Sequence, residues 1–306
     1  AEQSDYDKAR GFHEKALAQW RELGDKKGEE KTLNDLAVMY IEQGNVPKGQ
    51  ELLEEVLFLQ RGSKNRKEQG RTWANLATIY MEQGHHQQAS SLYEKALKTA
   101  QDIGSRRSEG IILYNSSLGE LRQKHYKKAF TLCQKALEVW SGIGHQRGEG
   151  YALRNMGVLY RDLGESEKAI DSFEKSLVIA KELKDGRMEV NLYLYRSILY
   201  RYLQRSDEAA DEVEKAYQMS KSLELPLVEG ECLCEKGFQQ LAQDQSAQEI
   251  LQQVYALKEE GKPFPYTLQV PIQQLEKAVV VQEQGDRLFF GQCLEDLPEA
   301  IQALVC

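Results

Sequence analysis

A basic excess, a long hydrophobic run, a cysteine framework and a catalytic signature are all missing from this chain, and each absence removes a class of function. The 306 residues carry 40 Lys and Arg against 48 Asp and Glu, a formal charge of −8. A protein built to hold a polyanion would carry the opposite balance, so nucleic acid is not an expected ligand. No apolar run approaches the roughly 18 residues of a membrane span, and the opening AEQSDYDKAR does not read as a signal peptide. No membrane association is expected. The five cysteines, at 133, 232, 234, 293 and 306, are too scattered for a disulfide framework, which fits a reducing, cytoplasmic setting. Cys232-x-Cys234 has no second cysteine pair and no histidine at ligand spacing, so no metal is expected.

Chemistry is equally sparse. There is no phosphate-binding loop, no dinucleotide fingerprint, no Gly-x-Ser-x-Gly and no Cys paired with His at a suggestive spacing. His85, His86, His125 and His145 all fall in turns or linkers. The expectation is a protein that is not an enzyme and uses no cofactor.

What is present is a repeat. Tyr40, Tyr80, Tyr160 and Tyr200 stand at multiples of 40 residues, and Leu33, Trp73, Leu113, Leu153, Tyr193 and Leu233 form a second column. Small residues recur as Ala9, Gly49, Ala89, Ala129, Ala169 and Ala209, and again as Ala16, Val56, Ala96, Ala136, Ser176 and Ala216. Self-similarity held without insertion for most of the chain marks a stack of one supersecondary unit. The clearest copy is Gly148 to Leu183. In it Leu153, Met156, Gly157 and Tyr160 lie at i, i+3, i+4 and i+7, one face of a helix from about Glu149 to Leu163. The Leu163-Gly164-Glu165 step ends it. A second helix runs from about Glu167 to Lys184, burying Ala169, Phe173, Ser176, Leu177 and Ala180.

On Trp73, Leu76, Ala77, Tyr80, Ala89, Tyr93 and Ala96, and on Leu153, Met156, Gly157, Tyr160, Ala169, Phe173 and Ser176, the chain resembles the tetratricopeptide repeat family. The common repeat has about 34 residues and a proline closing its second helix; here the period is 40 and no proline stands there. This long variant is similar to the repeats of Pins-type adaptors, kinesin light chain and bacterial signalling proteins. The resemblance implies an all-α fold, a right-handed α-solenoid of antiparallel helix pairs, with first helices lining a concave surface and second helices a convex one. It also implies a protein or peptide partner.

Residues 1–262 are expected to form the array, a partial first repeat lacking its first helix followed by six helix pairs, of which the last is degenerate. The missing first helix suggests a chain that starts inside a longer protein. Glu249 and Gln240 break the small and Tyr columns, and Pro263 and Pro265 stop the last second helix. Residues 263–306 are read as capping helices or the start of a following domain, with Leu268, Ile272, Leu275 and Val279 as one more apolar stripe. Trp73 and Tyr160 are expected in the core.

The linkers carry a basic column (Lys27, Lys67, Arg107, Arg147, Arg187) two residues ahead of an acidic one (Glu29, Glu109, Glu149, Glu189, Glu229), expected to pair along a solvated edge. On the first helices, Asn75, Asn115 and Asn155 form a column continued by Tyr195, and Arg71, Tyr151, Arg154, Arg161 and Arg201 share that face. An amide both donates and accepts, so a row of Asn can hold an extended peptide's backbone; arginines capture carboxylates. These residues are the candidate site, for a partner segment with acidic character. The expected function is a protein-interaction scaffold; the alternative is a ligand-sensing regulatory module of a larger signalling protein, such as a switch ATPase, a transcription regulator or a caspase-like protease.

Overall fold

The computed structural model describes residues 2–42, 45–61, 65–242 and 247–259, together with Ile272, Gln273 and Leu275. The described residues form helices joined by turns, and the chain divides into two compact halves, residues 1–145 and 146–306. The N-terminal half holds α1 (Glu2–Leu23), α2 (Lys26–Glu42), α3 (Val46–Leu59), α4 (Arg66–Glu82), α5 (His86–Asp102), α6 (Arg106–Arg122) and α7 (Tyr126–Ser141). The C-terminal half holds α8 (Gln146–Asp162), α9 (Ser166–Glu182), α10 (Gly186–Tyr202), α11 (Ser206–Ser222), α12 (Pro226–Ala242) and α13 (Gln248–Glu259). From α2 to α11 each first helix packs chiefly on the second helix that follows it, α2 on α3, α4 on α5, α6 on α7, α8 on α9 and α10 on α11, whereas α12 packs more on α11 than on α13. This is the expected all-α solenoid of helix pairs. Of residues 263–306, Leu275 is fully buried against Gly237 of α12; the rest, apart from Ile272 and Gln273, lie outside the described residues.

Size complementarity explains the columns. In the pairs α2/α3, α4/α5 and α8/α9 a knob on the second helix meets a small residue on the first. Phe173 is completely buried, and a Cβ added to Gly157 would stand 2.5 Å from its ring. Tyr93 shares a buried cluster with Ala77, and Leu53 shares one with Ala37. Cys133, at the same position, is also completely buried. Ala89, Ala129, Ala169 and Ala209 have no exposed surface, which lets the paired backbones approach. Trp73 and Tyr160 depart from full burial. Trp73 packs at the margin of the cluster formed by α4, α5 and Ile112 of α6, and Tyr160 keeps one face open to Lys168, whose Nζ lies 5.4 Å from the ring centre.

The turns reveal a finer period than the 40 residues of the sequence. Left-handed residues occur at Gly24, Gly84, Gly104, Lys124, Gly144, Gly164, Lys184, Gln204 and Glu224, all on a 20-residue grid. At each the chain closes a helix with the same pair of bonds: Gly164 N donates to Arg161 O at 2.9 Å and Glu165 N to Tyr160 O at 2.8 Å, as Gln204 N does to Arg201 O at 3.0 Å and Arg205 N to Tyr200 O at 2.9 Å. Glycine meets this conformation without strain. Lysine, glutamine and glutamate do not.

The linker ladders pair differently from expectation. Glu29 is held by Arg21 (2.8 Å) and Glu109 by Arg106 (2.6 Å), both from outside the basic column, and Arg147 reaches Asp185 at 3.1 Å. Lys27, Lys67, Arg107 and Arg187 stay exposed.

Candidate functional site

The candidate residues fall on both halves, with different chemistry on each. In the N-terminal half Arg71 of α4 is hydrogen bonded through Nη2 to Asp35 of α2 and lies 3.7 Å from Glu68. Asn75 and Asn115 are partly buried on α4 and α6, and the Asn75 Nδ2 is shielded from solvent without a hydrogen-bond partner. A desolvated donor of this kind costs about 1–3 kcal/mol until an acceptor arrives. Around the amides the face is apolar or weakly polar, with Met81 and Leu121 buried and Thr78 Oγ1 3.0 Å from Tyr93 OH.

In the C-terminal half the equivalent positions carry charge and rings. Arg154 of α8 lies over two aromatic faces, Tyr151 at 5.3 Å and Tyr195 of α10 at 5.5 Å from the ring centres, and Tyr195 stacks on Phe173 with centroids 5.9 Å apart. The guanidinium thus rests on a ring that is itself stacked on the fully buried Phe173, which restricts its position. Asn155 differs from its counterparts in being 3% exposed, a core residue rather than a surface amide. Tyr195 is also buried, at 5%. Arg161 sits 9% exposed with its Nη2 2.8 Å from Asp162. Arg201 makes a two-pronged bond to Glu235 of α12, at 2.7 and 3.1 Å, and Gln239 Nε2 donates to the same carboxylate at 3.1 Å.

The structure therefore keeps Tyr151, Arg154 and Tyr195 together as one cluster. It removes Arg71, Arg161 and Arg201 into ion pairs of the chain's own making. Sequence reasoning missed two carboxylates. Glu231 of α12 is partly buried and makes no hydrogen bond or ion pair with any described residue; burial pushes its carboxyl up to about 8. Asp162 spends one oxygen on Arg161, while its Oδ2 is buried and unpaired. Elsewhere, burial opposes the charge of Glu120 on α6, yet Lys128 and His125, at 2.5 and 2.9 Å, hold it below the usual carboxylate range. Burial also pushes the Cys232 and Cys234 thiols far above their usual range. Among the described residues no group of acidic, His and Cys side chains could hold a metal ion, and no helix is long and apolar enough to cross a membrane.

The tetratricopeptide repeat family model matches residues 29–102, 108–182 and 151–222, more than half of the chain. The chain belongs to that family, an α-helical repeat scaffold that serves protein interaction. No curated protein matches it significantly. Among solved structures it is similar to aspartyl phosphate phosphatase F from Bacillus subtilis, with a TM-score of 0.70 at 14% identity over 91% of this chain and 70% of that one. It is also similar to a signal transduction ATPase with a tetratricopeptide repeat sensor from Pyrococcus horikoshii, with a TM-score of 0.63 at 18% identity. That match covers 91% of this chain but 42% of the other. A kinesin light chain protein from Podosopora anserina matches with a TM-score of 0.51 at 16% identity, covering 63% of this chain and 95% of its own. At such identities the likeness is one of fold.

Proposed function

We propose that this scaffold holds a partner's extended segment along the faces of its first helices. Contacts between successive first helices support the reading: α2 touches α4 and α4 touches α6 in one half, α8 touches α10 and α10 touches α12 in the other, as elements on the inside of a bend do. The observation that carries it is Arg154, held over Tyr151 and Tyr195 on that face. A guanidinium pre-positioned by rings loses little freedom when it binds, and tyrosines supply contact area at small entropic cost. On the N-terminal half's own first helices Asn75 and Asn115 would hold the backbone of a segment bound there, with the unpaired Asn75 Nδ2 donating to a carbonyl.

A selection from a random dodecapeptide library on the full chain tests this reading. Selected peptides should lose about tenfold in affinity, ~1.4 kcal/mol, with Arg154→Ala, and somewhat less with Asn115→Ala. The exposed second-helix changes Lys168→Ala and Glu174→Ala should leave affinity unchanged. Equal losses from both sets would place binding elsewhere.

A further inference from the structure

We propose that the segment taken up by the C-terminal half is basic, with lysine or arginine side chains meeting Asp162 at the end of α8 and Glu231 on α12. The proposal rests on the first-helix reading above and gives that site its ligand class.

Two separate observations point the same way. Of the arginines of this face, Arg161 is consumed by Asp162 and Arg201 by the doubly held Glu235, while Arg154 lies over two tyrosine rings. What is left over is acceptor capacity. The Asp162 side chain is 3% exposed, and its Oδ2 has no hydrogen-bond partner. The residue as a whole is nevertheless partly exposed, at the last position of α8. A buried carboxylate oxygen left unpaired is costly, and a donor bearing positive charge is the partner that relieves it best.

Glu231 is the second. In the N-terminal half the same repeat position is Arg71, answered by Asp35 thirty-six residues earlier. Thirty-six residues before Glu231 stands Tyr195, which brings no counter-charge. The register that pairs one half thus leaves Glu231 without a cation to offset the burial that raises its proton affinity. A lysine or arginine arriving there would restore the ionised form.

Geometry sets the length of the segment. Asp162 and Glu231 lie eleven residues apart along the shared helical register and two first helices apart across it. With the rise of a helix and the usual spacing of packed helices, that diagonal is about 25 Å. An extended chain of about seven or eight residues spans it. The formal charge of −8 adds long-range attraction for such a segment.

The probes are two fluorescein-labelled decapeptides, one alternating lysine with alanine and one alternating glutamate with alanine, titrated by anisotropy against the full chain at low salt. The lysine probe should bind at least tenfold tighter than the glutamate probe. Asp162→Asn and Glu231→Gln should each weaken it several-fold. Asp171→Asn, which removes a carboxylate 59% exposed on α9, should not. Should Asp162→Asn fail to fold, Glu231→Gln alone decides. Equal weakening by Asp171→Asn would reduce the effect to net charge and overturn the proposal, as would no binding of the lysine probe at 100-fold the protein concentration. Tighter binding of the glutamate probe, lost with Arg154→Ala, would overturn it too while leaving the first-helix reading standing.

Discussion

The two halves share one backbone plan and differ in what they write on it. Along the last turn of the first helices, Ile41, Met81 and Leu121 in the N-terminal half become Arg161 and Arg201 in the C-terminal half before Leu241 restores the apolar residue. The turns differ as well. Four of the five described left-handed residues of the N-terminal half are glycine, whereas in the C-terminal half Gly164 is followed by Lys184, Gln204 and Glu224. A repeat scaffold can therefore hold its geometry through small and large residues in the core columns while the exposed columns, and even the turn residues, change character.

The sharpest way to break this comparison is through the buried ion pair. Glu235→Ala leaves Arg201 without its partner in a site where the two side chains are 15% and 2% exposed, and should cost about 3–5 kcal/mol. Lys175→Ala, which breaks a fully surface pair with Asp171, should cost under about 1 kcal/mol. Chemical denaturation of the two variants reads the difference.

The core knob offers the next test. Phe173→Ala should cost about 3–5 kcal/mol, while Cys133→Ala at the same position of the N-terminal half removes a single sulfur and should cost about 1 kcal/mol. Gly157→Ala would press a methyl into the Phe173 ring, a strain of about 1–3 kcal/mol. Similar losses for Phe173→Ala and Cys133→Ala would show that the halves do not pack by the same rule.

Glu231 makes the comparison pH-dependent. Its folded carboxyl titrates near 8 against an ordinary value of 4.5. The stability tied to its neutral form is full below pH 4.5 and is lost as pH rises through 8. Glu231→Gln should therefore match the parent in melting temperature at pH 4 and exceed it increasingly up to pH 9. A constant offset across that range would mean that the carboxylate is not isolated.

The smallest effects lie in the turns. Gln204→Gly and Glu224→Gly should each stabilise by about 1 kcal/mol, and Gly164→Ala should destabilise by a similar amount.

Much of this was legible in the sequence, for physical reasons that also mark where legibility stops. The helix pairs showed themselves because burial demands small residues at fixed places, so Ala89, Ala129, Ala169 and Ala209 had no freedom to vary. Tyr151, Arg154 and Tyr195 were named together because their columns fall on the same face of successive first helices. The fate of the other arginines was not legible, because Arg71 meets Asp35 at an offset of 36 residues and Arg201 meets Glu235 at an offset of 34. Columns drawn at 40 pass between such partners. Asn155 looked like Asn75 and Asn115 and is buried instead, which the type of residue alone could not reveal.

The 20-residue grid of left-handed residues carries a consequence for how such a chain can change its length. Because these turns share one handedness and one span, a duplication of forty residues beginning at any of them returns each helix to its own role, and the array grows without a seam. A duplication of twenty would keep these turns intact yet exchange first and second helices downstream, breaking the Arg154 face. Length in this architecture is thus free in even steps and forbidden in odd ones.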